Sequence, residues 1–494
     1  MFIKKTIPLL LSAALITLPI FTACGDAKSS ADENQADENV IAEVETQETL
    51  PAAESMIRQQ VSGKDYGGYE FRVVGNTSSD GITGLVYNEV YYEEENGEPL
   101  QDSVYRRNQQ TEDLLNCKIR LITQSEPEKS LRNSVIAGDD EYDAMLSSLM
   151  NQGSIAREGL IKNYYNIATM DLSNPWWDKN IVSNFTILGN KLYFLAGDIN
   201  FRDDYAVAVI YFNKQLIENF GYDNPYDLVD SGKWTLDAML YMVNGFTQDI
   251  DGDGKLDIKT DRYGFGDNTD IIKHLIFSMG SKITETDKDG IPRIAEMTES
   301  HIGKVEKLYN DICNNDNIFV GDNAPIVHAM LDSRCLFYYE MLGAYSLFRT
   351  MEDDFGIIPP PKYDEAQENY HAYVSNGWTS TYVVPITNPD FNRTGDILET
   401  MCAFSTDTIR ATLYDVLFTV KYARDTQTAR MIDYVVDSKV YDWSGDFGWL
   451  NDLTGCYTSL TNSKSFDFVS RIEKVEKKVN KTIEKMVEDF TAAD

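Results

Sequence analysis

The sequence predicts an α/β protein built as two lobes, and three observations carry that reading. At 494 residues the chain exceeds what one compact core accommodates, so two lobes or domains are expected. Residues 205–213 read Tyr-Ala-Val-Ala-Val-Ile-Tyr-Phe-Asn, an almost unbroken apolar, β-branched and aromatic run that suits a strand buried on both faces. One α/β unit precedes this run and another follows it. The run is therefore read as a connector that leaves one lobe and enters the second; the other reading is a central strand within a single lobe.

Composition narrows the class. Apolar residues make up 43% of the chain and aromatics 12%, which excludes general disorder. A formal charge of -35 repels nucleic acid and anionic surfaces, so no nucleic-acid partner is expected. The six cysteines (Cys24, Cys117, Cys313, Cys335, Cys402 and Cys456) include no CxxC pair, and four histidines form no HExxH, so zinc is not expected. Without Cys24 the number is odd, which disfavours a disulfide framework, and Cys117, Cys335 and Cys402 sit among apolar neighbours like small core residues.

In chain order, residues 1–23 carry a basic start (Lys4, Lys5), a long apolar run and then Phe-Thr-Ala before Cys24 and Gly25. This is a secretory signal with small residues before a cysteine. It resembles a bacterial lipoprotein signal, which implies a diacylated Cys24 as the mature N-terminus, a membrane anchor and an extracytoplasmic, cell-surface location; the other reading is an uncleaved anchor. Residues 26–54 are Asp, Glu, Ala, Gln and Ser with almost no large apolar residue, so an acidic flexible tether is expected over 24–62.

The first lobe is expected over 63–205 and about 385–430. An alternating strand at 69–74, a helix over 100–115 and a strand at 118–122 make a β-α-β unit with a parallel pair. A helix at 131–137 stops at Gly138, and a strand over 142–149 follows. Ligands of open α/β sheets bind beyond the carboxyl ends of strands, which makes Ser147, Ser148 and Asn151 candidate contacts. Trp176 and Trp177 form a flat apolar pair suited to stacking on sugar faces; the alternative is packing, since tryptophan is highly buried on average.

The second lobe is expected over 206–384 and about 431–494. Its sharpest motif is 249–257, with Asp249, Asp251 and Asp253 at loop positions one, three and five, Gly254 at six, Lys255 at seven and Asp257 at nine. That pattern matches an EF-hand or dockerin-like calcium loop, although Thr260 stands at twelve and Asp261 is one residue late. A structural calcium site is expected, and no cofactor for activity. Later segments read as a helix over 301–314, a strand over 331–342, a helix over 399–410 and an amphipathic terminal helix over 467–490 that docks on a lobe.

The order of five segments resembles the extracellular solute-binding proteins of bacterial ABC transporters, in particular the maltose-binding-like carbohydrate group. They are Ala-Gly-Asp-Asp-Glu-Tyr-Asp-Ala-Met-Leu at 137–146, Glu-Gly-Leu-Ile-Lys-Asn at 158–163, Gly-Asn-Lys-Leu-Tyr at 189–193, Val-Ile-Tyr-Phe-Asn-Lys at 209–214 and Gly-Lys-Trp-Thr-Leu-Asp at 232–237. Residues 355–361 resemble that family's approach to a second crossing, which would be 374–384. The resemblance implies a type II periplasmic-binding-protein-like fold, lobes joined by crossing segments, and a sugar held between them. It places Tyr339 and Glu340 at a ligand-contacting strand end and Trp378 as a stacking platform facing the cleft. Tyr205 borders that groove, and Asn76, Asn151, Arg202, Asp203 and Glu340 are its candidate polar groups. The loop at 443–449 brings Trp443 either to the cleft or into packing.

The functional expectation is a lipid-anchored, monomeric, non-enzymatic subunit of an ABC importer that captures a sugar, in particular an oligosaccharide, and delivers it to a permease. No GxxxxGK[ST] occurs, in keeping with a separate ATPase. The rival readings are a secreted glycoside hydrolase, which needs paired carboxylates across a cleft, and a calcium-dependent surface adhesin.

Overall fold

The computed structural model describes residues 51–77, 88–422, 425–445 and 450–492. The expected signal, Cys24 and the tether up to residue 50 lie outside them. From Ala52 the tether reading gives way to helix α1 (Ala52–Gln60), which buries Ala53 and Ile57. Those two apolar side chains lie four residues apart on one face, enough to dock the helix on the body of the protein.

The first sheet grows from the expected β-α-β unit. Strands β1 (Tyr69–Gly75) and β2 (Cys117–Thr123) flank helix α2 (Pro99–Leu115) and pair in parallel, Tyr69 opposite Cys117. Proline starts both α2 and α3 (Pro127–Ala137), where the missing N–H costs nothing; α3 ends at Gly138, whose φ of 77° favours glycine. Strand β3 (Ala144–Ser148) adds in parallel on the other side of β1 and leads directly into α4 (Leu149–Arg157). Helix α5 (Lys179–Phe185) and the short α6 (Arg202–Tyr205) complete this part of the chain.

Residues 206 and 207 then cross to β4 (Ala208–Asn213), in which every residue is buried. The Asn213 side chain accepts the Leu216 N–H at 2.9 Å and so starts α7 (Lys214–Phe220). Helices α8 (Pro225–Asp230) and α9 (Leu236–Phe246, capped by Thr235) follow, then β5 (Tyr263–Asp267), α10 (Ile271–Ser278), the hairpin β6 (Thr284–Thr286) and β7 (Pro292–Ile294), and α11 (Glu299–Leu308). Next come β8 (Ile318–Val320), α12 (Asn323–Leu331), β9 (Cys335–Met341) and β10 (Phe355–Ile358). The second sheet has the order β10-β4-β9-β5-β8, with β4 antiparallel to both neighbours and β5 parallel to β8 and β9. The expected strand over 331–342 is thus split: α12 takes Leu331 and β9 begins at Cys335.

After β11 (Ala372–Tyr373), strand β12 (Ser380–Val383) pairs with β3, giving the first sheet the order β12-β3-β1-β2. The chain is therefore back in the first sheet by Ser380, earlier than the expected 385. Helix α13 (Phe391–Ser405) packs on α2 and α1, whereas α14 (Thr426–Asp437) packs on β10 and α8. Strand β13 (Lys439–Val440) then pairs in parallel with β11. Three crossing segments consequently lie side by side: Val207 bridges Val374, Ser375 donates its N–H to the Ala206 carbonyl at 2.9 Å, and Ala372 and Tyr373 pair with Lys439 and Val440. The expected lobe bounds imply three passages between lobes, but only the first two were assigned residues as crossing segments; the two-residue strand β13 is too short to leave a periodic signal.

Helix α15 (Asn451–Thr458) precedes α16 (Phe468–Ala492), whose buried stripe holds Ile472, Val479, Ile483, Met486 and Phe490. It does not dock on one lobe. Phe468 starts it against Tyr457 and His301, while Phe490 stacks on Tyr193 at 5.0 Å and Asp489 pairs with Arg157 of α4 at 2.9 Å. Cys117, Cys313, Cys335, Cys402 and Cys456 are free thiols, with Cys117, Cys335 and Cys402 in the core. Among the described residues no helix is long and apolar enough to cross a membrane.

Candidate functional site

The second crossing segment, residues 374–379, joins the edges of both sheets. On the first-lobe side Ser148 donates its hydroxyl to the carbonyls of Asn376 (3.0 Å) and Gly377 (3.1 Å), and Leu149 donates its N–H to Thr379 at 2.9 Å. On the second-lobe side half-buried Trp378 packs over Gly343, where an added Cβ would stand 3.2 Å from the Trp378 ring and 3.1 Å from Tyr205 Cβ. Glycine at 343 therefore lets Trp378 and Tyr205 approach this backbone. Tyr205 stacks on Tyr345 with centroids 6.4 Å apart. These aromatic rings come from three separate stretches and meet at the crossing.

Orphaned polar atoms sit beside them. Asn376 is buried, yet neither its amide oxygen nor its amide nitrogen has a partner, and Thr379 Oγ1 is also unpaired. A buried polar group without a partner costs about 1–3 kcal/mol. Sequence reading missed Asn376, because an amide in a crossing segment has no pattern that marks it.

Strands β5, β8 and β9 run parallel, so their carboxyl ends share one edge. A cavity of about 620 Å³ opens there, lined by Asn268, Thr269, Asp322, Asn323, His328 and Leu347 among others. Asn323 donates its amide N–H to Glu340 Oε2 at 2.9 Å and leaves Oδ1 buried without a partner. Glu340 also receives the Tyr338 hydroxyl (2.8 Å) and the Met341 N–H (2.9 Å); burial pushes its carboxyl up, and those two donors pull it back. Asp267 is pushed up by burial too, opposed by His274, whose ring nitrogen lies 3.3 Å away. The edge thus offers amides and hydrogen-bonded carboxyls, a donor and acceptor set suited to hydroxyl groups.

The structure sorts the remaining candidates. Asn151 is exposed in the first turn of α4, and Asn76 is exposed with its amide 3.4 Å from the Ser125 carbonyl. Ser147 is buried and its hydroxyl is held by Glu128 of α3. The backbone N–H of Arg202 is taken by Glu89 at 3.0 Å.

Four expectations are corrected. Trp176 is buried and donates its indole N–H to Glu399 at 2.7 Å; Trp177 does the same at 3.1 Å, so the pair packs. Trp443 is buried edge-on to Phe185 (5.1 Å) with its N–H on the Asn184 carbonyl. Residues 446–449 of its loop lie outside the described residues. Tyr339 is stacked under His274 at 4.6 Å, because residue alternation along β9 turns it to the α10 face. Asp203 pairs with Lys439 at 3.0 Å and lines a different cavity.

The acidic loop folds back on itself. Asp249 accepts the N–H groups of Gly252 (2.7 Å) and Gly254 (2.9 Å), Asp253 accepts that of Lys255 (2.8 Å), and the carboxylate oxygens of Asp249, Asp251 and Asp253 lie within 4.8 Å of one another. Asp261, the late acid, receives the N–H groups of Ile250 and Asp257, both at 2.8 Å, and these bonds hold its carboxyl below the usual range. It therefore pins the loop. Helix α9 precedes the loop but β5 follows it, so the flanking pair of an EF-hand is not formed.

No family model matches the chain, and no curated protein matches it in sequence. Solved structures match its fold. One is an ABC substrate-binding protein from Listeria monocytogenes in complex with cycloalternan, at 10% identity and TM-score 0.54, covering 84% of this chain and 99% of that one. Another is an ABC transporter solute-binding protein from Thermotoga lettingae bound with α-D-tagatose, at 12% identity and TM-score 0.52, covering 84% and 100%. A third is UgpB from Mycobacterium tuberculosis in complex with glycerophosphocholine, at 14% identity and TM-score 0.52, covering 85% and 99%. The chain has a mixed α/β fold of the two-lobed periplasmic-binding-protein class. More narrowly, its fold is similar to those of these ABC-transporter solute-binding proteins, the fold that the sequence resemblance implied.

Proposed function

We propose that this protein is the capture subunit of an ABC importer for carbohydrate, holding an oligosaccharide between its lobes and presenting it to a membrane permease. It is a binding protein without catalytic activity, tethered outside the cytoplasm by a lipid on Cys24. The observation that carries this reading is the junction at the second crossing, where Trp378, Tyr205 and Tyr345 gather beside the unpaired amide of Asn376. The half-buried Trp378 supplies contact area for a sugar ring, backed by the buried Tyr205 and Tyr345, while amides and carboxyls sort its hydroxyls. Adjacent crossing segments favour hinge bending as the closing motion.

The test is calorimetric titration of the mature protein with a panel of mono- and oligosaccharides, plus glycerophosphocholine, which occupies the same fold in one neighbour. Saturable binding of an oligosaccharide, weakened by Trp378→Ala, supports the proposal. Binding of glycerophosphocholine alone, or of no sugar in the panel, refutes it.

A further inference from the structure

A second cavity, of about 560 Å³, lies at the amino end of β8, whereas the cavity already described opens at the carboxyl end of that strand. The two share no lining residue. Strand β4 runs antiparallel to β9, and β9 parallel to β5 and through it to β8, so the crossing into β4 enters at the carboxyl edge of those three strands. The second cavity is therefore on the far edge of the sheet. Its walls are α9 (Leu240, Asn244), the π-helical turn Tyr309–Cys313 that leaves α11, and the loop 314–317 that leads into β8. Lys307 clamps these walls together, holding Asp237 of α9 and Asp311 of the turn each at 2.8 Å.

Asparagine supplies most of the lining, and no basic side chain takes part. Three of the amides interlock. Asn244 Oδ1 accepts amide N–H groups from Asn315 and Asn317, both at 3.0 Å, and Asn317 also donates to Asn315 Oδ1 at 3.0 Å. Asn244, an exposed residue, is thereby held by its oxygen and keeps its amide N–H groups for a guest. Asn314 spends its amide N–H on the Tyr309 carbonyl at 2.9 Å and keeps its oxygen. Asn310 is exposed in the wide turn, a backbone feature that recurs at functional sites.

An aromatic ridge borders the amides. Tyr241 lies three residues before Asn244 on α9, so the two are surface neighbours, and Tyr241 is 75% exposed. Its ring meets Tyr222 edge-on at 6.3 Å, and Tyr222 stacks on the exposed Phe220 at 6.0 Å. A ring steadied by its neighbours offers its free face at little entropic cost. We propose that the amide-lined hollow and Tyr241 form a second carbohydrate site, taking a neutral sugar unit of a polysaccharide. Tyr241 meets the apolar face of the sugar ring, and Asn244, Asn310 and Asn314 bond its hydroxyls. Sugar hydroxyls both donate and accept, as side-chain amides do. Phosphates and carboxylates find no cation in the lining, and Asp311 and Asp316 repel them. Because those three asparagines are exposed, the hollow suits a unit within a chain rather than an engulfed monomer. The site stands whether or not the junction at the second crossing takes a sugar.

The test is affinity electrophoresis of the full mature chain through native gels holding amylopectin, xyloglucan, galactomannan or arabinoxylan, with polygalacturonate as the anionic control. Every variant is compared in a Trp378→Ala background, which removes the stacking platform of the crossing. Retardation in at least one neutral gel is expected in that background. Tyr241→Ala and Asn244→Ala should each weaken it about five- to tenfold in apparent affinity. Tyr434→Ala, which removes an exposed ring on α14, should leave it unchanged. Tyr241 and Asn244 are exposed, so their variants are expected to keep the wild-type Tm, which a thermal melt checks. No retardation in any neutral gel, retardation by polygalacturonate alone, or equal retardation with and without Tyr241 overturns the proposal. Retardation that Trp378→Ala by itself abolishes assigns the polysaccharide to the crossing and overturns it too.

Discussion

Trp176 donates its indole N–H to Oε2 of Glu399 at 2.7 Å, across 223 residues of chain. The same carboxylate accepts the Trp177 indole (3.1 Å), the Asp171 N–H (2.6 Å) and the Asn174 amide (3.1 Å), so one buried acid organises a long loop. Replacing it with alanine leaves four donors without an acceptor. Glu399→Ala is expected to lose about 3 kcal/mol or more in urea unfolding. Sugar affinity of the folded fraction stays within about twofold of wild type. A larger loss of affinity at unchanged stability would return the tryptophan pair to the binding site.

Trp378→Ala should separate in the opposite sense. The side chain is only half-buried, so removing it costs little folding energy. Loss of a stacking platform is expected to weaken the sugar about ten- to a hundredfold. Calorimetric titration beside a thermal melt checks both halves; a large Tm drop with unchanged affinity would assign Trp378 to packing.

The last helix is expected to behave as a strap. Phe490 stacks on Tyr193, and the Phe490 carbonyl receives the Lys191 ammonium at 2.8 Å. Phe490→Ala frees the end that touches the first lobe, and hydrogen exchange should speed up over residues 484–492 while residues 468–480 stay protected. Uniform exchange along α16 would show that the helix docks as one piece.

Calcium should stabilise the acidic loop. Three carboxylates held close by turns in their own backbone repel one another, and a divalent cation relieves this. At a hundredfold excess over Kd the gain is about 2.7 kcal/mol. EGTA should lower Tm, and Asp249→Asn should abolish the difference; identical melts with calcium and EGTA exclude the site.

Acid should act through His301. Burial pulls its imidazole down to about 4, and its Nε2 lies 2.9 Å from the Tyr457 hydroxyl. The unfolded chain binds the proton first, so this contribution is complete above pH about 6.5 and is lost as pH falls through about 4, worth about 3 kcal/mol. Asp198 works oppositely: burial lifts it to about 6, so its contribution is present below pH about 4 and fades as pH rises through 6. In urea midpoints between pH 7 and 4.5, His301→Gln should flatten the acid loss and Asp198→Asn should steepen it. The reverse pattern would contradict both environments.

Much of the local architecture was legible in the sequence. The parallel pair of β1 and β2, the stop at Gly138, the buried run at 208–213 and the stripe of α16 each follow from the spacing of apolar side chains or from one special backbone position. The site was legible only in part. Tyr205 and Trp378 both approach Gly343 at the crossing, Tyr205 buried and Trp378 half-buried, whereas Trp176, Trp443 and Tyr339 were drawn inward. Aromatic character alone does not say whether a ring faces a guest or a neighbour.

By itself the sequence determined where many of the longer strands and helices form and that two lobes share the chain, because periodicity and composition act over a few residues. Tertiary structure alone decided the rest: that the third crossing pairs with the second through β11 and β13, that α16 joins both lobes, and that Asn376, Asn323 and Asp203 keep unpaired oxygens. A hydrogen bond made or missed between residues hundreds of positions apart leaves no trace in local pattern. It exists only once the two stretches are packed together.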